Sequence, residues 1–159
     1  MVSHLDIKYK YYPSQLDWVE HPPQKNSGLI ACTGTGSTGW SKSINRIGSE
    51  EIRTVAHQLN LSTAHGIDYE KLADALNNER TVFDPEAPTM GLTFREPIFS
   101  KISTGTYSNF VKTAEIHVRV KCFQGMIAID GSTYYSVTPG TELTLELNKA
   151  WQINCIHVD

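Results

Sequence analysis

Hydrophobic and polar positions alternate at the start of the chain. Leu5, Ile7, Tyr9 and Tyr11 fall at every second position between charged residues, which predicts a half-buried strand. The next stretch, 21–28, carries two prolines, an Asn and a Gly and predicts a loop. A second strand is expected at 28–33, directly before a cluster of glycines and hydroxyl residues.

The second half of the chain returns to a period of two. After residue 89 the segments "GLTFRE", "AEIHVRVKC" and "TELTLELN" alternate, and the turns between strands are explicit at Asp130-Gly131 and Pro139-Gly140. Ile116, Val118 and Val120 share one strand face. This half is expected to be antiparallel, up to a last segment "WQINCIHV".

Between these halves the apolar positions change to a spacing typical of helices. From Trp40 they recur every three to five residues, which predicts a helix with Gly48 as a candidate break and Ser37 or Thr38 as its N-cap. A second helix is predicted over 68–80, with Asp68 as its N-cap. Its apolar face is predicted from three residues: Leu72, Ala75 and Leu76.

These elements indicate an α+β fold in one domain spanning residues 1–159. We expect a mostly antiparallel, β-sandwich-like domain that contains a strand-loop-helix segment and a helical insert at about 48–88. A chain of 159 residues with 40% hydrophobic composition is long enough for one sizeable core. No repeats interrupt it.

Composition and charge narrow the function classes. The net charge is −3 with dispersed basic residues, so a nucleic-acid partner is not expected. No apolar run approaches the roughly 20 residues that span a bilayer, and no targeting segment is recognised at the start of the chain. The cysteines, Cys32, Cys122 and Cys155, are expected to be reduced core residues, and no metal site is expected from the scattered histidines.

The glycine cluster at 34–39 reads G-x-G-x-x-G between a predicted strand and a predicted helix. A Rossmann unit is disfavoured because the region about 20 residues further on lacks both an acidic residue and a strand. A Walker P-loop is disfavoured because no Gly-Lys-Ser/Thr closes the loop. The hydroxyl groups and the flat face of Trp40 suit a nucleoside, but a tight turn whose Ser and Thr residues only cap a helix fits as well.

The segment "SGLIACTGTGSTGWSKSINRI", followed in order by "LTFREPI" and "MIAIDG", resembles the NAD kinases, and in particular the mitochondrial type of animals. The resemblance implies phosphorylation of the 2′-hydroxyl of the adenosine ribose of NAD by ATP. It also implies that the chain is the C-terminal NAD-binding domain. The family's N-terminal domain, with a Gly-Gly-Asp-Gly motif, the catalytic Asp and an Asn-Glu pair, is not found in this sequence.

The resemblance also implies a set of NAD-binding residues within the loop and the helix after it. Thr35, Gly36 and Thr38 match loop positions that contact the adenine side of NAD. Ser43 matches a position near the nicotinamide, and Trp40 stands where many members have a Tyr that packs on the ligand. Ser27 and Gly34 depart from bacterial members, which often have Asp and Pro there. The predicted set is Thr35, Gly36, Ser37, Thr38, Trp40 and Ser43.

Cofactors and partners follow from the same resemblance. NAD is the expected substrate, ATP and Mg²⁺ are expected to bind mainly outside this chain, and the chain alone is expected to be inactive. A homodimer of the full-length protein and a mitochondrial location are implied, with a cytoplasmic location as the alternative. The alternative function is a non-catalytic dinucleotide-binding or dimerisation module. A related lipid kinase is disfavoured by the "CTGTGS" loop.

Overall fold

The computed structural model describes residues 3–13, 17–22, 24–61, 66–98, 108–148 and 150. Their fold is α+β with antiparallel strand pairing, as the alternation predicted. The strands are β1 Ser3–Tyr11, β2 Trp18–Glu20, β3 Gln24–Asn26, β4 Gly28–Cys32, β5 Met90–Arg95, β6 Phe110–Val120, β7 Gly125–Ile129, β8 Thr133–Val137 and β9 Glu142–Glu146. The helices are a 3₁₀ turn Thr35–Thr38, α1 Trp40–Ile44, α2 Ser49–Gln58 and α3 Tyr69–Thr81.

Seven of the strands form one sheet in the order β2-β1-β6-β5-β4, with β3 paired to β1 and β9 paired to β6. Strand β6 is the longest and lies at the centre, where β1 covers one edge and β5 and then β9 share the other. Strands β7 and β8 form a separate hairpin. Strand β3 lies within the stretch that the prolines predicted to be a loop, because its backbone pairs with the start of β1.

The core lies on one face of the large sheet. Ile7 and Tyr9 of β1, and Ile116 and Val118 of β6, point into it at every second position, as the alternation predicted. Val111 is out of step with them because the β1–β6 register shifts between Lys10 and Tyr11. Each fully buried large apolar side chain contributes about 1.5–3 kcal/mol. The cluster of buried residues consists of Ile7, Tyr9, Met90, Leu92, Phe94, Val111, Ile116 and Val118. Leu143 and Leu145 of β9 pack against it.

The two predicted turns are confirmed. Asp130 and Gly131 both have positive φ, 48° and 67°, and they join β7 to β8 as the two central residues of a tight hairpin turn. Gly140 has a φ of 91° in the turn before β9. Positive φ favours Asn, Asp and Gly, which explains why these residues mark the turns in the sequence.

The first helical segment is interrupted at Gly48 as predicted, with α1 ending at Ile44 and α2 beginning at Ser49. The predicted N-cap of the first helix is wrong. Ser37 and Thr38 lie inside the 3₁₀ turn and their hydroxyls donate back to its start, so Gly39 occupies the N-cap position without a side-chain bond.

The N-cap of α3 is confirmed, because the Asp68 side chain accepts the Lys71 N–H at 3.0 Å. The predicted apolar face of that helix is wrong. Leu72 and Ala75 are exposed, and the buried positions are Ala73, Asn77 and Thr81. The helix is rotated so that the Asn77 side chain reaches the backbone that follows α1, and that polar contact decides which face is buried.

The last segment "WQINCIHV", with Cys155, lies outside the described residues. None of the helices in the described ranges is both long and apolar enough to cross a membrane. Cys32 and Cys122 are free thiols, each half-buried.

Candidate functional site

The glycine loop leaves the sheet at the end of β4 and packs tightly against the segment that follows α3. A Cβ added to Gly34 would lie under 3 Å from backbone atoms of Asp84 and Pro85. Gly34 itself has an ordinary helical φ of −55°, so the glycine is required by close approach and not by an unusual backbone conformation. The loop therefore packs directly against the backbone at the end of the helical insert, where there is no room for a side chain at Gly34.

The Ser37 hydroxyl joins this loop to the segment after α3 by hydrogen bonds. The Ser37 side chain is fully buried, and its hydroxyl donates to the Gly34 carbonyl at 2.6 Å while it accepts the Phe83 N–H at 3.3 Å. Both bonds lie within the chain, so the hydroxyl of this predicted binding residue already serves to join the loop to the insert. A buried hydroxyl with two partners stabilises the loop geometry.

The other predicted binding residues are exposed and follow one another along the loop and the start of α1. The Thr38 hydroxyl makes only a long bond of 3.4 Å to the Thr35 carbonyl, and Ser43 is exposed on α1. Trp40, the first residue of α1, is 61% exposed, which is unusual for so large an apolar side chain. The exposed members of the set are Thr35, Gly36, Thr38, Trp40 and Ser43.

A buried polar cluster ties α1 to the sheet. Thr93 of β5 lies with its hydroxyl 3.1 Å from that of Ser41 and accepts a hydrogen bond of 2.9 Å from the Asn45 amide. The same Asn45 amide donates to the Ser41 carbonyl at 2.8 Å. All three residues are buried, so the cluster fixes where α1 sits on β5. These residues could not be found from the sequence, because a Thr in an alternating strand carries no sign of its partner.

The Arg95 guanidinium lies over the indole of Trp40, with its central carbon 5.3 Å from the ring centroid. Arg95 is the last residue of β5, and one of its terminal nitrogens lies 3.9 Å from the exposed Glu96 carboxylate. The distance to the ring is within the range of a cation–π contact. The structure thus brings together a cation and an exposed indole that stand 55 positions apart in the sequence.

Cys32 lies beneath the loop, close to where a Cβ of Gly36 would be. Burial raises the pKa of its thiol, and hydrogen bonding to Ser41 and the backbone of Gly91 opposes the shift. The thiol is therefore held in its neutral form beside the buried cluster. Across the described ranges, no group of three or more His, Cys, Asp or Glu side chains converges as a metal site would require, so we assign no Mg²⁺ ligand to them.

The fold and the loop together define an α+β domain that presents a hydroxyl-rich strand-to-helix loop and an exposed tryptophan at one end of an antiparallel sheet. No protein-family profile matches the chain. The chain is homologous to "NAD kinase 2, mitochondrial". It is 29% identical to the Mus musculus protein over 150 residues, which cover 92% of this chain and 33% of that protein.

Two further relatives carry the same name. The Homo sapiens protein is 28% identical over 159 residues, covering 96% of this chain and 35% of its own length. The Rattus norvegicus protein is 28% identical over 159 residues, covering 96% of this chain and 36% of its own length. The chain thus spans about a third of the length of the curated relatives it matches, and the resemblance to this type of NAD kinase is confirmed at the level of homology.

Proposed function

We propose that this chain forms the NAD-binding part of an NAD kinase, and that NAD binds over the exposed side of the loop and α1. The observation that carries the proposal is the exposed Trp40 beside a run of exposed hydroxyls, in a chain homologous to NAD kinase 2. In this arrangement Thr35 and Thr38 offer hydroxyls to the adenosine. Ser43 offers one to the far end of the dinucleotide, and Gly36 allows close approach of the ligand to the backbone.

The site is suited to a rigid mode of binding. Ser37 and Gly34 hold the loop against the insert, and the Ser41–Thr93 contact holds α1 on the sheet. Hydroxyls and an indole that are already ordered lose little conformational entropy when a ligand binds. We therefore assign Ser37 the task of shaping the loop and the five exposed residues the contacts with NAD.

The proposed reaction transfers the terminal phosphoryl group of ATP to the 2′-hydroxyl of the adenosine ribose. Such a transfer depends on positioning and on stabilising charge around the phosphates. The loop and its flanks offer an acceptor site of hydroxyls and backbone. We propose that the groups that hold ATP and Mg²⁺ lie mainly outside this chain and that the 159 residues bind NAD without phosphorylating it.

Calorimetric titration of the chain with NAD tests the binding proposal. Trp40→Ala is expected to weaken binding by about 5-fold or more, because stacking of a base on an aromatic ring contributes about 1–3 kcal/mol. Trp18→Ala is the matched control, since Trp18 lies on β2 against Lys10 and His117, on a different strand from the loop. No heat with NAD, or equal losses from both variants, would overturn the proposed site.

Turnover separates the kinase from the alternative of a non-catalytic module. The chain is incubated with NAD, ATP and Mg²⁺ and NADP is measured, and the reading frame is extended upstream of Met1 to look for Gly-Gly-Asp-Gly and Asn-Glu. An upstream match, with activity in the extended protein only, supports the kinase proposal. NADP formation by the chain itself would overturn the assignment of the phosphoryl transfer to residues outside it.

We also propose a homodimer in which the β7–β8 hairpin meets a second copy. This hairpin exposes the large apolar side chains of Met126, Ile129, Tyr134 and Tyr135, each at least half exposed, and Phe123, just before β7, is 91% exposed. An isolated two-stranded hairpin is marginally stable in water, so a second copy that covers it would stabilise it. Sedimentation analysis is expected to give a dimer that Tyr135→Asp dissociates, while Thr144→Asp on β9 leaves it intact. Dimers with both variants would contradict this.

A mitochondrial location is proposed from the names of the homologues alone. Fluorescence microscopy of the full-length protein, tagged at its C-terminus, tests it. A cytoplasmic signal would favour the alternative location.

A further inference from the structure

We infer that Arg95 is a positioning residue of the NAD site, which holds the Trp40 indole by one face and so leaves the other face presented to the ligand. The ligand part of this inference rests on the proposed function. The orientation of the indole does not, and it can be tested without any ligand.

Two neighbouring contacts join α1 to one face of β5. Thr93 and Arg95 stand two residues apart on that strand, so their side chains point to the same face, while Phe94 between them points into the core. Thr93 contacts Ser41 at 3.1 Å, and Arg95 lies over Trp40 at 5.3 Å. Two residues in the first turn of α1, Trp40 and Ser41, are therefore held by neighbouring side chains on the same face of β5.

The base of Arg95 is fixed by the sheet. Its backbone pairs with Gly28 of β4, and its carbonyl accepts the Ser27 N–H at 3.0 Å. The guanidinium therefore extends from an anchored position, and its reach to Trp40 does not depend on a mobile loop. Without this contact, the Trp40 indole, which is 61% exposed, would sample several rotamers. The side-chain entropy lost when a ligand selects one rotamer would then weaken binding.

In the described part of the chain, no charge near Arg95 competes strongly with Trp40 for the guanidinium. The loop and α1 contain no acidic residue from Thr33 to Ile44, and their one basic residue, Lys42, donates to Asn78 at 2.7 Å. The carboxylate that contacts Arg95 is Glu96, at 3.9 Å and largely exposed, and an exposed ion pair of that length contributes little. The cation–π contact with Trp40, together with the weak Glu96 pair, therefore places the guanidinium.

Fluorescence tests the orientation directly. In a W18F/W151F background Trp40 is the only indole, and its accessibility to acrylamide is measured. Arg95→Met is expected to raise the quenching constant by about 1.5- to 2-fold, because the cation no longer covers one face, and Arg95→Lys to give a value between. Arg119→Met on β6 is the matched control, since Arg119 is likewise a strand residue paired to an exposed carboxylate, that of Glu142. Unchanged quenching with Arg95→Met, in a variant whose circular dichroism is native, would overturn the inference.

Calorimetry tests the consequence for NAD. Arg95→Met is expected to weaken NAD binding by about 2- to 5-fold in the unaltered chain and to have no further effect in the W40A background, because Arg95 acts through Trp40. Equal losses in both backgrounds would mean that Arg95 contacts the ligand itself, which would overturn the positioning role. If the unaltered chain binds no NAD, the proposed function fails, and the quenching result still decides whether Arg95 orients Trp40.

Discussion

Asn77 of α3 forms two hydrogen bonds with the backbone of a single residue, Ile47. Its Oδ1 accepts the Ile47 N–H at 2.8 Å, and its Nδ2 donates to the Ile47 carbonyl at 2.8 Å. The Asn77 side chain is almost completely buried. The contact joins the segment after α1 to the insert, and through α1 it supports the loop that carries the candidate site.

Replacing Asn77 with Ala is expected to lower the free energy of unfolding by about 1–3 kcal/mol, because the Ile47 N–H and carbonyl both lose their partner in a poorly hydrated position. Chemical denaturation measures the loss. Asn78→Ala is the matched control, since Asn78 is exposed and bonds only to the exposed end of Lys42, and it should cost less than about 0.5 kcal/mol. Equal costs would show that the Asn77–Ile47 pair is not what fixes the helix.

Gly34→Ala is expected to destabilise the chain by about 1–3 kcal/mol, because the added Cβ meets the Asp84 backbone, which cannot move as a side chain could. Thermal unfolding by circular dichroism measures the change. In the control, Gly48→Ala, the new Cβ meets the flexible end of the Glu51 side chain. That variant should cost less, about 0.5–1 kcal/mol, because Gly48 is the N-cap of α2 and Ala is the poorer residue there. A Gly34 variant as stable as the control would refute the tight packing of loop against insert.

Ser37→Ala and Ser43→Ala should separate a structural hydroxyl from a binding one. Ser37→Ala removes a buried hydroxyl with two partners and is expected to cost about 1–2 kcal/mol of stability. Ser43→Ala alters an exposed position and should leave stability within about 0.5 kcal/mol while it weakens NAD binding. Denaturation and calorimetry on both variants check this, and the reverse pattern would exchange the two roles.

Acid pH should remove a stabilising interaction at Glu115. The Lys10 ammonium, 2.7 Å from the carboxylate, lowers the pKa of Glu115 below its ordinary value of 4.5, burial opposes this, and His117 adds to it. A lowered folded-state pKa contributes stability above pH 4.5 that is lost as the pH falls through the folded value.

Glu115→Gln should therefore be less stable than the unaltered chain at pH 7, and the gap should close as the pH is lowered below about 4.5. The difference in melting temperature between Glu115→Gln and the unaltered chain, measured from about pH 3 to pH 7, follows this change in stability. Glu20→Gln is the control, because its pair with Lys8 is exposed at both ends and should contribute little at any pH. A gap for Glu115→Gln that does not vary with pH would contradict the prediction.

Local patterns predicted the elements whose cause is local. The alternation in β1 and β6 follows from burial of one sheet face, the Asp130-Gly131 turn from the positive φ that these residues tolerate, and the Asp68 N-cap from a bond to an N–H three residues away. Each of these is decided by a few consecutive residues, so it can be read before any tertiary contact is known.

Contacts between distant segments decided which face of α3 is buried and what Ser37 does. The rotation of α3 follows from the hydrogen bonds of Asn77 to Ile47. Ser37 is buried and bonded within the chain because the Phe83 N–H, at the end of the insert, reaches its hydroxyl. Neither contact leaves a mark in the spacing of apolar residues, which explains why the predicted helix face and the predicted N-cap were wrong.

By itself the sequence determined the α+β class, the antiparallel second half, the turns, and a hydroxyl-rich loop that resembles that of NAD kinases. Only the tertiary structure decided which of the loop's hydroxyls are exposed, how α1 is held on β5, and that Arg95 lies over Trp40. The physical reason is range: periodicity and turn chemistry act over a few residues, whereas the pairing of a strand end with a helix start depends on how the chain folds back on itself.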